Sequence, residues 1–200
     1  MNIELQSPHE KFNMLYGYTT QEETTLILHY HDAIFKNATV LDDRQKPLFL
    51  IEGSPSWCWR RKVFNAAGEL FFKFCHESFD MKNQWRVEDP NDRRLCSLVH
   101  EKQITTDQSA INATVHTITD EDILVLMQPH SKGSAWTNII VGGITVAQIR
   151  NFVDNAKTMG FKYNNNDQST WEIHVAAEVD LSIIVVLALS RAEMAHDWKQ

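Results

Sequence analysis

Short apolar runs separated by turn-forming residues make up most of the chain. The runs at residues 48–51 and 70–74, for example, are followed or preceded by clusters that contain Asp, Asn, Gly or Pro. Three segments share one order, in which a strand is followed by an acidic or amide turn and then by a second strand that opens on leucine; they lie at residues 39–51, 61–74 and 85–99. This pattern predicts a meander of antiparallel hairpins.

Further strands are predicted on both sides of these hairpins. Each is a short apolar or alternating run, and they lie at residues 26–28, 57–64, 110–117, 123–127, 135–141, 144–152 and 170–176.

The pattern changes at residues 179–189, where nine of eleven residues are apolar and Asp180 and Ser182 are polar. Asp180 near the start and the Ala-, Leu- and Met-containing continuation favour an α-helix at about residues 179–196. As a helix, the apolar run would extend about 18 Å, short of the roughly 30 Å hydrocarbon core of a membrane. No transmembrane segment is therefore predicted.

A helix that is apolar on every side must be surrounded by protein. In a chain otherwise made of strands, the simplest surround is a closed sheet, which also leaves no exposed sheet edge. We therefore predict a mainly β fold, a closed antiparallel β-barrel wrapped around a C-terminal hydrophobic α-helix. Residues 1–23 are polar and mixed and are expected to form a loosely attached lead-in, followed by one barrel domain over residues 24–200.

Composition and charge limit the classes of function that the chain can have. The chain has 200 residues, of which 43% are hydrophobic and 22% charged, as in an ordinary soluble globular protein. A net charge of −7 argues against a nucleic-acid partner. Residues 44–102 nevertheless hold 11 Lys and Arg residues against 8 Asp and Glu residues, which indicates a local basic surface.

The candidate headgroup-binding residues are Arg60, Lys62, Lys73 and Arg86. Because side chains alternate along a strand, Arg60 and Lys62 share one face and Arg61 takes the other. Several cations on one surface could bind the phosphates of a phosphoinositide or another anionic lipid headgroup. The competing interpretation is a solvated barrel exterior whose charges bind nothing.

Other chemistry has weaker support. His29 and His31 lie on one strand face at a spacing that suits a metal site, but the glutamate that a cupin places shortly after such a pair is missing. The chain has no GxSxG, Walker A or GxGxxG motif. We therefore predict no metal and no cofactor, and we can assign no catalytic residue.

The cysteines and the N-terminal residues indicate a reducing compartment. Cys58, Cys75 and Cys96 are odd in number and form no CxxC motif, and the first residues lack the basic and apolar regions of a signal peptide. We expect free thiols in a cytoplasmic protein, with attachment to the periphery of a membrane as an open alternative.

Four segments together resemble a known family. Residues 43–53 and 60–70 look like its first two β-turn-β units, residues 85–89 open the third, and residues 175–194 match its closing segment. The chain thus resembles the LURP-one-related proteins of the Tubby C-terminal-like superfamily, of a kind abundant in fungi. The resemblance implies a barrel of about twelve strands around a hydrophobic helix. It departs from the family at Glu178, where relatives usually carry glycine.

The resemblance implies little about activity. Relatives in the superfamily include Tubby proteins, which bind phosphoinositide headgroups through basic residues, and phospholipid scramblases. We expect a binding or scaffold module for a lipid headgroup or a protein partner. The alternative is an enzyme that acts on a hydrophobic small metabolite at the barrel rim or in a pocket between strands.

Overall fold

The computed structural model describes residues 4–9, 12–31, 36–54, 60–77, 84–103, 108–131, 134–151 and 170–197. Twelve strands and one helix lie within those residues. They are β1 (Thr24–Tyr30), β2 (Ala38–Leu41), β3 (Pro47–Gly53), β4 (Arg60–Asn65), β5 (Leu70–Glu77), β6 (Gln84–Glu88), β7 (Arg94–Gln103), β8 (Gln108–His116), β9 (Asp122–Pro129), β10 (Trp136–Val141), β11 (Ile144–Asn151), β12 (Thr170–Val175) and α1 (Leu181–Asp197).

The strands form a closed antiparallel barrel. Each strand pairs with its neighbours in sequence, and β1 pairs with β12 to complete the circle. The fold predicted from the hydrophobic pattern is therefore confirmed. Residues 57–59 and 152, at the ends of two predicted strands, lie outside the described residues.

The hairpin turns at one end of the barrel share one construction, which explains the loose similarity of the hairpin sequences. In the first, Asp42 Oδ1 accepts hydrogen bonds from the backbone N–H groups of Arg44 at 2.9 Å and Lys46 at 2.7 Å. Asn65 and Asp89 make the same pair of bonds in the next two turns. An acidic or amide residue at this position therefore stabilises each turn, because its side-chain oxygen is the acceptor for two backbone N–H groups of the turn.

The helix α1 lies inside the barrel. Ile183, Ile184, Val185 and their successors through Leu189 have no exposed surface. Side chains near its C-terminal end contact two separate parts of the wall, since Glu193 accepts a hydrogen bond from Trp85 on β6 and Arg191 donates one to Thr137 on β10. Within the described residues, no helix is long and apolar enough to cross a membrane.

The expectation of a loosely attached lead-in is wrong for residues 12–20. Phe12 and Met14 are buried in the hydrophobic core, at 1% and 0% exposure. The segment also pairs with the residues before the helix, because Thr20 N donates to Val179 O at 3.0 Å. Phe12 and Met14 belong to a short run with Leu15, Tyr16 and Tyr18, and this run is too brief within a polar stretch to predict a core segment by itself.

Asp180 joins this segment to the helix. As the N-cap of α1, its Oδ1 accepts a hydrogen bond from Ser182 N at 2.8 Å, while its Oδ2 accepts from Met14 N at 2.6 Å and Leu15 N at 3.2 Å. Burial raises the pKa of this carboxyl, and the hydrogen bonds oppose that shift. One side chain thus anchors both the start of the helix and the N-terminal segment.

Candidate functional site

The alternation of β4 divides three consecutive cations between the two sides of the barrel wall. Arg60 and Lys62 are exposed on the outer face, whereas Arg61 is buried at 3% exposure and points to the interior. This is the division that the sequence predicts.

The strand register brings the four candidate residues together on the outer face. Lys62 on β4 lies opposite Lys73 on β5. Arg60 lies opposite Cys75, which in turn lies opposite Arg86 on β6. Three neighbouring strands therefore present the four cations to one side of the wall.

These cations border a groove of about 450 Å³ on the outside of the barrel. We call it the outer groove. It is lined by Glu52, Gly53, Ser54, Arg60, Arg61, Lys62, Lys73, Cys75, Glu88 and Asp92. Arg86 is not one of these lining residues, but its Nε lies 2.7 Å from Oε1 of Glu88, which is one of them.

The cations of the outer groove differ in whether they are paired. Lys73 Nζ lies 2.6 Å from Asp92 Oδ1, and this hydrogen bond holds the pKa of that carboxyl below its ordinary value. Arg86 is paired with Glu88. Among the described residues, the side chains of Arg60 and Lys62 make no ion pair, so they are the cations available to a ligand.

Cys75 lies at the floor of the outer groove with 5% exposure. Burial, with a contribution from Glu88, raises the pKa of its thiol. The thiol is therefore protonated at neutral pH and is a poor nucleophile. Cys96 is also a free and buried thiol, and Cys58 lies outside the described residues.

His29 on β1 and His31, which directly follows this strand, are each hydrogen-bonded to a threonine. His29 Nδ1 lies 3.0 Å from Thr170 Oγ1, and His31 Nε2 lies 2.7 Å from Thr39 Oγ1. Their rings are 5.2 Å apart and meet edge to face. Within the part of the chain that the structure describes, no three His, Cys, Asp or Glu residues are grouped as metal ligands.

Inside the barrel, Arg61 forms an ion pair with Glu193 of α1. The other carboxylate oxygen of Glu193 accepts a hydrogen bond from the Trp85 indole at 2.5 Å. The sequence placed Arg61 on the face opposite to Arg60 and Lys62 but did not indicate this partner, which lies more than a hundred positions away along the chain. The nearest signal is a glutamate that follows the long apolar run of the helix, because a carboxylate in a buried position requires a cationic or hydrogen-bonding partner.

A second cluster lies on the outer face of β10, β11 and β12. The Arg150 guanidinium lies 4.4 Å from the centre of the Trp136 ring and forms an ion pair with Glu172. His174 Nε2 lies 3.2 Å from the same carboxylate. The hydrogen bonds from His174 and Arg150 lower the pKa of Glu172. This outer cluster was not identified from the sequence, because its members become neighbours only through the strand register.

The comparisons with known proteins agree with the barrel. The profile of the LURP-one-related family matches residues 24–190, so the chain belongs to that family. Among solved structures, it is similar to a protein from Arabidopsis thaliana determined by X-ray crystallography, with 13% identity, a TM-score of 0.53, and coverage of 89% of this chain and 94% of the plant chain. At that identity the similarity shows a shared fold alone. The search of curated proteins returned no match. Family and fold together suggest a binding or scaffold module.

Proposed function

We propose that the protein is a binding module whose outer groove takes the phosphate of an anionic lipid headgroup. The observation that carries the proposal is the pair of exposed cations, Arg60 and Lys62, that border a groove of about 450 Å³ and have no ion-pair partner among the described residues. A volume of this size is in the range of small-ligand pockets.

The electrostatics of the groove favour an anion. Lys62 and Lys73 lie directly opposite each other in the register of β4 and β5. Like charges in that relation destabilise a sheet, and a bound phosphate between them would offset the repulsion. The ion pair between Asp92 and Lys73 offsets part of this repulsion. Lys62 and Arg60 are therefore the cations that contact the ligand.

The carboxylates that line the groove suggest which headgroup fits. Glu52 lies opposite Lys62, and Glu88 and Asp92 line the same groove. Carboxylates accept hydrogen bonds from hydroxyl groups, so a headgroup that carries both hydroxyls and phosphate satisfies both kinds of side chain. A phosphoinositide has both groups. On this proposal the protein is cytoplasmic and attaches to the periphery of a membrane.

Vesicle sedimentation at physiological salt tests the proposal. The probe is phosphatidylcholine vesicles with and without phosphatidylinositol bisphosphate. We expect the parent to bind the phosphoinositide vesicles, and Arg60→Ala/Lys62→Ala to bind roughly thirtyfold more weakly, since each basic residue near an anionic surface contributes about 1 kcal/mol.

Arg44→Ala/Lys46→Ala is the matched control. It removes two exposed cations from the β2–β3 turn, which is not part of the groove lining, and it should bind as the parent does. Absence of binding by the parent, or equal losses in both double variants, would reject the groove as a headgroup site. Capture of a protein rather than vesicles would favour the scaffold alternative.

A further inference from the structure

Ser54 directly follows β3 and lines the outer groove. Its backbone N–H donates a hydrogen bond to Arg60 O at 2.8 Å, which continues the pairing of β3 with β4 one residue beyond the pair of Gly53 and Arg61. Ser54 therefore lies opposite Arg60. Because Arg61 points to the interior, alternation places Ser54 and Arg60 together on the outer face.

Two cations are within reach of a group attached to the Ser54 hydroxyl. Residues opposite each other on antiparallel strands have Cβ atoms about 5 Å apart, and diagonal neighbours are about 7–8 Å apart, a distance that long side chains span. Arg60 is the opposite neighbour of Ser54, and Lys62 is the diagonal one, since it lies opposite Glu52. Both cations are exposed and make no ion pair among the described residues. A phosphate on Ser54 would thus lie beside a guanidinium and an ammonium group.

The charged side chains of the outer groove favour an added anion at this point. Lys73 is paired with Asp92, and Glu88 is paired with Arg86. Glu52 is the remaining carboxylate of the lining, and it stands against the two exposed cations of β4. A serine phosphate carries a charge of about −1.5 to −2 at neutral pH and has three strong acceptor oxygens, so it would gain charge-assisted hydrogen bonds here.

The sequence at Ser54 is that of a substrate for a proline-directed protein kinase. Such kinases accept a serine that is followed by proline, whose ring restricts the backbone and whose nitrogen carries no hydrogen that needs a partner. Ser54 is followed by Pro55, and the chain has one other such pair, Ser7 and Pro8. Ser7 is exposed and is not part of the groove lining. It therefore provides a matched comparison for Ser54.

We propose that Ser54 is a phosphorylation site and that its phosphate binds Arg60 and Lys62, which prevents an anionic headgroup from entering the outer groove. In the kinase active site the Ser54 hydroxyl oxygen bonds to the γ-phosphorus of ATP, the bond from that phosphorus to the bridging oxygen breaks, ADP leaves, and the hydroxyl proton passes to the catalytic base of the kinase. The effect on lipid binding rests on the proposed function. The contact between the phosphate and the two cations does not.

Phosphorus NMR tests this contact without any lipid. The protein is made with genetically encoded phosphoserine at position 54 or, as the control, at position 7. Neighbouring cations favour the doubly charged phosphate, so the signal of the phosphate on Ser54 should titrate about half a pH unit below that of the phosphate on Ser7. Arg60→Ala/Lys62→Ala should abolish the difference. Equal titration of the two phosphates, or a difference that persists in the double variant, overturns the proposal.

Incubation with a proline-directed kinase and ATP tests whether Ser54 accepts the phosphoryl group. Mass spectrometry of peptides from the product should find phosphate on Ser54. Ser54→Ala should lose that phosphopeptide, whereas Ser7→Ala should retain it. Phosphate on Ser7 alone, or on neither serine, overturns the assignment of Ser54 as a modification site.

Sedimentation with phosphatidylinositol bisphosphate vesicles tests the consequence for binding. Phosphate on Ser54 should weaken binding roughly thirtyfold, as much as the loss of Arg60 and Lys62, whereas phosphate on Ser7 should change it by less than about threefold. Binding as tight as that of the parent after phosphorylation of Ser54 overturns the regulatory role. Absence of binding by the unmodified parent rejects the proposed function instead, and the phosphorus NMR titration still decides whether the phosphate binds the two cations.

Discussion

The outer groove and the barrel interior use the same kind of residue in different ways. Arg60, Arg61 and Lys62 are consecutive on β4, yet the middle one is buried and paired with Glu193 while its neighbours face solvent and make no ion pair among the described residues. The interior cation holds the helix to the wall, and the outer cations are available to a ligand. The comparison shows that strand alternation, not residue type, decides between a structural and a binding role.

The largest expected effect comes from breaking the interior pair. Glu193→Leu leaves the Arg61 charge buried without a partner, and we expect it to lower the free energy of unfolding by about 3–5 kcal/mol. Denaturant unfolding measures this loss. The double variant Arg61→Met/Glu193→Leu removes both charges and should recover much of the stability. A single variant as stable as the parent would contradict the structural role of the pair.

The next largest effect concerns Asp180 at the other end of the helix. Asp180→Ala removes the N-cap and leaves the N–H groups of Met14 and Ser182 without their acceptor, which should cost about 2–4 kcal/mol. Asp180→Asn keeps one acceptor oxygen and should lose less. Equal stability of all three proteins in denaturant unfolding would show that the N-terminal segment is not anchored through this side chain.

Glu178 lies at a strained position just before the helix. Its φ of 63° is in the left-handed region, which costs a residue with a side chain about 1 kcal/mol relative to glycine. We expect Glu178→Gly to be more stable than Glu178→Ala by about that amount. Thermal unfolding of the two variants isolates the backbone effect, because both lack the carboxylate. A less stable glycine variant would disprove the strain.

The outer cluster lies between the two regions compared above. Its arginine is ion-paired, as in the interior, but it lies on the outside of the barrel. The pKa of Glu172 is lowered by His174 and Arg150, so its stabilising contribution is present above the ordinary value of 4.5 and is lost as the pH falls through the lower folded value. Glu172→Gln should therefore destabilise the protein by less than about 1 kcal/mol at neutral pH.

The pH dependence of that effect is the sharper test. The difference in stability between the parent and Glu172→Gln should shrink as the pH falls below 4.5. Glu22→Gln, which changes an exposed carboxylate of the N-terminal segment, is the control for the loss of one negative charge. If the difference in stability between the parent and Glu172→Gln were independent of pH, the ion pairing of Glu172 would be contradicted.

The fold could be predicted because its signals are local. Apolar runs with turn residues between them identified the hairpins, and the uninterrupted apolar segment identified the enclosed helix. Residues such as Asp42 and Asn65 marked the turns because their own side chains complete the turn hydrogen bonds.

The sites were only partly predictable because their contacts are distant in sequence. Strand alternation correctly separated Arg61 from Arg60 and Lys62. The partners of Arg61 and Asp180 lie on segments more than a hundred residues away and have no local signature. The volume of the outer groove likewise depends on how four strands, β3 to β6, pack, which no single stretch of sequence encodes.

The most direct test of the central claim, that ligand binding belongs to the outer groove, is an NMR titration with a short-chain, soluble phosphatidylinositol bisphosphate. The account predicts that the largest amide shifts fall on Gly53, Lys73 and Cys75, and that they are lost in Arg60→Ala/Lys62→Ala. Shifts concentrated elsewhere on the barrel, or unchanged in that double variant, would contradict it.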